Sequence, residues 1–261
     1  MLLWAGLSVA WCNPWSEPAT ASINWTALPV GVLSPEQALH TYQERTLRQL
    51  TTLAGYSDKT TIEAEIPAMT EKGQFSLKRR FSAPQSLDYT ATNFVGDNFV
   101  KTNVIYRILE SDVERVEKHM APKVAILESN YRFSYKGIQN LNGRCLYAFA
   151  LNPRRKDAGL FKGKIFIDPQ SGHINQAVGQ LSKSPSWWIK RVDFIQDYAD
   201  VGEFTMLVQM RAVAQARIVG RVVVNIQHTE YEVRSIEQPK SAQEAADSRH
   251  QKPLPDAAAI P

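Results

Sequence analysis

The sequence has few of the residues that build cross-linked or metal-binding sites. It contains two cysteines, Cys12 and Cys145, and five histidines. Cys12 lies in a segment that we expect to be removed, so Cys145 is left without a partner for an internal disulfide. No two histidines stand at the spacing of metal ligands, and none is paired with a cysteine. We therefore expect neither a metal ion nor a cofactor.

Catalytic motifs are missing as well. The chain has no G-x-S-x-G sequence and no phosphate-binding glycine loop. Two weaker candidates remain: Asp193 and Asp197, two pleats apart on one predicted strand, and Cys145, beside Arg144. Paired acids are more common on the solvent face of a sheet, and a cysteine in an apolar strand is typically a small buried side chain. We predict that the protein is not an enzyme and rank a hydrolase at Asp193 or Cys145 last.

Long hydrophobic runs are also absent. Residues 1–11 are apolar and uncharged, but a membrane-spanning helix needs roughly 20 apolar residues. The segment matches the apolar part of a signal peptide, and residues 19–21 (ATA) offer a cleavage site. We predict a signal peptide over residues 1–21 and a periplasmic location. The alternative is lipidation at Cys12 and association with the outer membrane, which bulky Trp11 disfavours.

The charge is too weak and too dispersed to indicate nucleic acid. The formal net charge is +4, and three basic clusters at 78–80, 154–156 and 190–191 lie near predicted strand ends. They fit either solvated turns or a surface that docks on anionic lipid headgroups or an acidic envelope protein. From residue 237 the chain is rich in Ala, Pro and Gln. We therefore predict one domain over residues 22–236 and a disordered tail over residues 237–261.

What the sequence does contain is regular hydrophobic periodicity. Helical spacing extends from Ser34, a capping residue, to Gly55, and again over residues 98–119. Strand-like segments bounded by turn residues occur ten times: 60–66, 74–81, 86–94, 130–136, 144–151, 160–168, 173–180, 187–198, 204–213 and 217–231. We predict a mainly β (α+β) fold, an open antiparallel half-barrel of about ten meandering strands with two covering helices.

Large apolar residues on these strands are the positive evidence for binding. They either fill an ordinary core or line a groove for an acyl chain, in which each buried methylene contributes ~0.8 kcal/mol. The candidate ligand-binding residues are Tyr147, Phe149, Phe166, Trp188, Phe194, Val222 and Val224.

Several segments resemble those of outer-membrane lipoprotein-sorting proteins, which share the half-barrel fold of the periplasmic lipoprotein carrier. They are residues 160–168 (LFKGKIFID) with Gly179 downstream, residues 183–190 (KSPSWWIK) and residues 201–204 (VGEF). The family often continues with an aromatic-Leu-Pro stretch, where this chain has residues 205–207 (TML). The resemblance implies a cavity-containing, non-enzymatic periplasmic protein, and it assigns no binding residue.

Two functional hypotheses follow ahead of the hydrolase. The first is a carrier that holds a lipid or lipoprotein acyl chain in an apolar hollow beneath movable helices. The second is an interaction or scaffold module of the cell envelope that uses the outer face of the sheet and has a solid interior. The volume between the sheet and the helices distinguishes them.

Overall fold

The computed structural model describes residues 31–236. The predicted signal peptide, Cys12 and the predicted tail lie outside these residues. Within them, none of the helices combines the length and the apolar character needed to cross a bilayer.

The first helix, α1, spans Pro35–Thr52 and begins as its sequence predicts. Ser34 and Gln37 form a capping box, in which each side chain accepts a hydrogen bond from the other residue's backbone N–H. Burial is confined to the first half of the helix. Ala38 and Tyr42 are buried, whereas Leu47 is 53% exposed because the second half of the helix lies at the rim of the sheet.

All ten predicted strands are present, and most extend beyond their predicted ends. They are β1 (Leu53–Ile66), β2 (Glu71–Ser82), β3 (Ser86–Gly96), β4 (Tyr131–Leu141), β5 (Arg144–Pro153), β6 (Phe161–Ile167), β7 (Ile174–Leu181), β8 (Ile189–Val201), β9 (Phe204–Ala216) and β10 (Gly220–Ser235). A short 3-10 turn, Pro67–Met69, joins β1 to β2.

The strands form a single antiparallel sheet that stays open. Its order is β3-β2-β1-β10-β9-β8-β7-β6-β5-β4, so β3 and β4 are the two edges. The predicted meander is therefore wrong at one point: β1 pairs with β10, with Ile62 opposite Ile226, and the chain crosses from one edge to the other between β3 and β4. A curved sheet with two edges and a helix-covered inner face confirms the predicted half-barrel class.

A helical segment makes this crossing. It consists of α2 (Asn98–Val100), a π-helical turn (Lys101–Ile105) and α3 (Tyr106–Glu117), which we call together the crossing helix (residues 98–117). Asp97 caps its start by accepting from the N–H groups of Phe99 and Val100. A further short helix, α4 (Ala121–Val124), leads to β4. The predicted helix over 98–119 is confirmed apart from the π-helical turn.

Strand alternation sorts the core into three clusters. One lies between α1 and strands β4–β9, and a second lies between the crossing helix and strands β1, β2, β8, β9 and β10. Both are on the inner face of the sheet. The third and smallest consists of Leu146, Ala148 and Phe166 on the outer face.

Candidate functional site

The two halves of the inner face are filled to different degrees. Beneath α1, the side chains of Ala38 and Tyr42 insert among buried residues, and the Tyr147 hydroxyl donates to the carbonyl oxygen of Leu33 at 2.8 Å. The rings of Phe161 and Phe194 meet edge to face with centroids 5.0 Å apart. This half is a closed core.

The half beneath the crossing helix is looser. Val100 and Ile105 are buried, but α3 itself has no fully buried residue along its 12 positions. Ile108 and Leu109 are only partly buried against the sheet. The contacts of α3 are with the edge strand β3 and, through Tyr106 at its start, with the Phe75 ring, whose centroid is 6.0 Å from that of Tyr106.

A groove of about 350 Å³ runs along this helix, open to solvent. The lining is an apolar floor with a row of carboxylates at the mouth: Tyr89, Tyr106, Leu109, Glu110, Val113, Glu114 and Glu117. Two of the carboxylates have cations of the same helix as partners: Glu110 pairs with Arg107, and Glu114 pairs with Lys118. Chemically, the groove offers burial of a narrow apolar group.

A buried polar network adjoins the apolar part of this half. Asp58 is 4% exposed, and its carboxylate accepts from Arg79 Nε at 2.7 Å and from the Thr60 hydroxyl at 2.6 Å. His228 is 6% exposed, with Nδ1 2.8 Å from Thr60 Oγ1. Because Thr60 gives its hydroxyl hydrogen to Asp58, Nδ1 is the nitrogen of neutral His228 that carries a hydrogen.

The network ties four strands together. Arg79 Nη2 donates to the Tyr231 hydroxyl at 2.9 Å, which in turn donates to the carbonyl oxygen of Leu207 at 2.6 Å. The guanidinium also stacks over the Tyr56 ring, 5.0 Å from its centroid. Residues of β1, β2, β9 and β10 are thereby fixed to one another.

The pKa values in the network follow from burial and charge. Burial opposes ionisation of Asp58, but hydrogen bonding with His228 and the charge of Arg79 outweigh it and lower the pKa of the carboxyl. Burial lowers the pKa of His228, and the positive charge of Arg79 acts in the same direction, against the hydrogen bond to Asp58. At neutral pH the network therefore holds an ionised Asp58–Arg79 pair and a neutral His228.

Comparison with solved structures gave distant likenesses. A DUF1329 family protein from Desulfovibrio piger is 9% identical, with 80% of this chain and 98% of that chain covered and a TM-score of 0.38. A LolA superfamily protein from Nitrosomonas europaea is also 9% identical, with 78% and 95% covered and a TM-score of 0.39. A putative outer membrane lipoprotein-sorting protein domain from Vibrio parahaemolyticus is 10% identical, with 82% and 98% covered and a TM-score of 0.39.

These neighbours are the kinds of protein that the sequence resemblance indicates. Likeness at this level carries no argument about function. Comparison with models of known families gave no match, and comparison with curated proteins gave none either. Function has to be inferred from the residues of this chain.

The seven predicted ligand-binding residues are divided among the three clusters. Tyr147, Phe149 and Phe194 are in the closed core beneath α1, whereas Trp188, Val222 and Val224 are beneath the crossing helix. Phe166 lies on the outer face, where it stands opposite Ala148. Ala148 precedes the inward-facing Phe149, and adjacent residues of a strand point to opposite faces. None of the seven lines the groove along α3.

Sequence reasoning did not identify the residues that define this half. Arg79 interrupts the apolar face of β2, which it shares with Phe75 and Leu77. His228 continues the inward series of Val224 and Ile226 on β10. A charged or titratable residue on the apolar face of a strand was the available signal. Tyr89 and Tyr106 gave none, because the groove depends on where the crossing helix lies.

Two other predictions need correction. Arg79, taken as part of a basic surface cluster, is instead the buried partner of Asp58. Cys145, predicted to be buried, is exposed, because it is the second residue of β5 and precedes the buried run that begins at Leu146. The positions of Asp193 and Asp197, four residues apart on a strand, are separated by about 13 Å.

Each of these two carboxylates has its own partners. Asp193 pairs with Arg191, while Asp197 accepts from Gln176 and Arg211. Within residues 31–236 no group of three His, Cys, Asp or Glu side chains is arranged to hold a metal ion.

Proposed function

We propose that this protein is an exported, non-enzymatic periplasmic binding protein that holds a single apolar chain, such as the acyl chain of a lipid or lipoprotein. The observation that carries the proposal is the contrast between the two halves of the inner face. One is packed solid beneath α1, and the other is covered by a partly seated helix with an open apolar groove beside it.

Binding would require α3 to move away from the sheet. The start of the crossing helix is fixed by the Asp97 cap and by Val100, which is buried against β2 near Gly73. The π-helical turn that follows is the natural place for bending, because its hydrogen bonds depart from the regular helical pattern. Farther along, the Tyr89 hydroxyl donates to Asp112 at 3.3 Å and so connects α3 to β3.

The proposed ligand surface differs from the one predicted from the sequence. The groove residues Tyr89, Tyr106 and Leu109 would contact the chain first, and Val222 and Val224 would form the deeper wall once α3 lifts. The Asp58–Arg79 network would end the apolar path, because a hydrocarbon offers no hydrogen bonds to buried polar groups.

A titration with a fluorescent acyl probe tests the proposal. Leu109→Trp should fill the groove and weaken probe binding at least about tenfold, the equivalent of about 1.4 kcal/mol. Arg107→Trp is the matched control, because it adds the same side chain at an exposed position on the same helix. Lack of saturable binding by the wild-type protein, or equal loss in both variants, would show that the groove does not bind acyl chains.

The carboxylates at the groove mouth favour a second candidate, a basic amphipathic segment of an envelope protein. Glu110, Glu114 and Glu117 recur at helical spacing on the groove side of α3. A basic partner would compete with Arg107 for Glu110 and with Lys118 for Glu114. Replacing Glu110 and Glu117 by lysine should abolish capture of such a partner and leave acyl-probe binding within about twofold. If the probe is not bound and capture depends on these charges, the protein-binding function replaces the carrier.

A further inference from the structure

Two exposed apolar side chains protrude together from one end of the sheet. Trp187 is 77% exposed in the loop before β8, and Ile218 is 80% exposed in the turn between β9 and β10. They are the most exposed of the large hydrophobic side chains among residues 31–236. Leaving both in water is unfavourable, so a surface that covers them gains apolar burial.

Hydrogen bonds hold the backbone around them in place. Arg217 donates from Nε to the carbonyl oxygen of Trp187 and from its backbone N–H to that of Trp188, each at 2.8 Å. The Ser184 hydroxyl donates to the carbonyl oxygens of Ile189 and Lys190 at 2.6 and 3.0 Å. Trp188 turns inward and packs on the cluster beneath the crossing helix. The loop and the turn therefore present Trp187 and Ile218 as one unit.

The two chain segments that form this unit carry only positive charges. Residues 182–192 and 214–222 contain no Asp or Glu and five cations: Lys183, Lys190, Arg191, Arg217 and Arg221. Arg191 is matched by Asp193 through two hydrogen bonds of 2.7 Å, while Lys190, Arg217 and Arg221 are exposed around the apolar tip. An indole with an adjacent aliphatic side chain, surrounded by Lys and Arg, has the composition that suits the headgroup region of an anionic bilayer.

We propose that the loop before β8 and the β9–β10 turn form a membrane-docking tip, which inserts Trp187 and Ile218 among the headgroups of an anionic lipid surface. The short turn Pro67–Met69 contacts β10 at the same end, and Met69 adds a third exposed apolar side chain. This inference is independent of whether the groove along α3 binds an acyl chain.

Vesicle sedimentation with the full-length protein tests the proposal. We expect the protein to sediment with vesicles of phosphatidylcholine and phosphatidylglycerol, and at least about tenfold less with phosphatidylcholine alone. Raising the salt from about 0.1 M to about 1 M shortens the Debye length from about 10 Å to about 3 Å and should release most of the protein.

The double variant Trp187→Ala/Ile218→Ala should lose at least about tenfold in binding to the anionic vesicles. Ile138→Ala is the matched control, because Ile138 is 51% exposed on the edge strand β4 and should leave binding unchanged. Both variants keep residues 1–30, so any contribution of that apolar segment is the same in each. Thermal melting of each variant verifies that it is folded.

Lipids with a quencher in the headgroup region provide a direct readout of insertion. Quenching of tryptophan fluorescence should decrease when Trp187 is replaced by phenylalanine, because the quenched indole is lost. The proposal is overturned if anionic vesicles are not bound, if both vesicle types are bound equally, or if the double variant binds as well as the wild type.

Discussion

At the residue scale, the buried Asp58–Arg79 pair is the most consequential feature of the inner face. Its charges are removed from water, and the cost is offset by hydrogen bonds to Thr60 and Tyr231. A pair of this kind contributes little net stability by itself. Removing one partner is costly, because the other remains buried, charged and alone.

Arg79→Met should therefore lower the free energy of unfolding by about 3–5 kcal/mol. Methionine fills similar space but leaves the Asp58 carboxylate without its counter-charge. Arg80→Met, at the exposed neighbouring position, should change the free energy by less than about 0.5 kcal/mol. Chemical denaturation measures both values. Similar losses in the two variants would contradict the buried role of Arg79.

His228 should make stability depend on pH. Its pKa is lower in the folded protein than in the unfolded chain, where it is about 6.5, so below that pH the unfolded chain binds more protons. The stability is therefore present above about pH 6.5 and is lost as the pH falls towards the folded pKa. The lowered pKa of Asp58 adds a further loss at more acidic pH.

Replacing His228 by glutamine should flatten the fall in unfolding free energy between about pH 7 and pH 5. His40→Gln serves as the control, because the side chain of His40 on α1 is 72% exposed. Denaturation curves at a series of pH values give the slopes. Equal slopes in the wild type and His228→Gln would show that this histidine does not titrate on unfolding.

At the scale of elements, the two inner-face helices have similar sequence patterns but different seating. α1 is fixed at both ends, by the capping box at Ser34 and by the two hydrogen bonds between Gln49 and the backbone of Thr205. α3 is joined to the sheet by partly buried side chains and the Tyr89–Asp112 hydrogen bond. The difference in packing predicts a difference in local stability.

Hydrogen exchange should show this difference directly. Amides of α3 should exchange at least about tenfold faster than those in the middle of α1, because opening α3 exposes less apolar surface. Mass spectrometry of the exchanged peptides resolves the two segments. Equal protection would indicate a firmly seated α3 and would remove the basis for its movement.

At the scale of the whole molecule, the sequence predicts the helices and strands better than it predicts which of them contact one another. Helix α1 and all ten strands follow from local periodicity and turn residues. The pairing of Ile62 with Ile226 joins residues far apart in the chain, so no local pattern indicates it. The groove was missed for the same reason, since Tyr89 and Leu109 belong to separate elements that meet only when the crossing helix folds back.

Pairing between β1 and β10 also determines the order in which the strands can pair during folding. The three N-terminal strands and the seven that follow meet only through the last strand of the sheet, Gly220–Ser235. During synthesis, which begins at the N-terminus, β1 can pair with β2 early. It can pair with β10 only after nearly the whole chain has been made. Such distant partners slow folding, and until then β1 is a bare template on which another nascent chain can assemble.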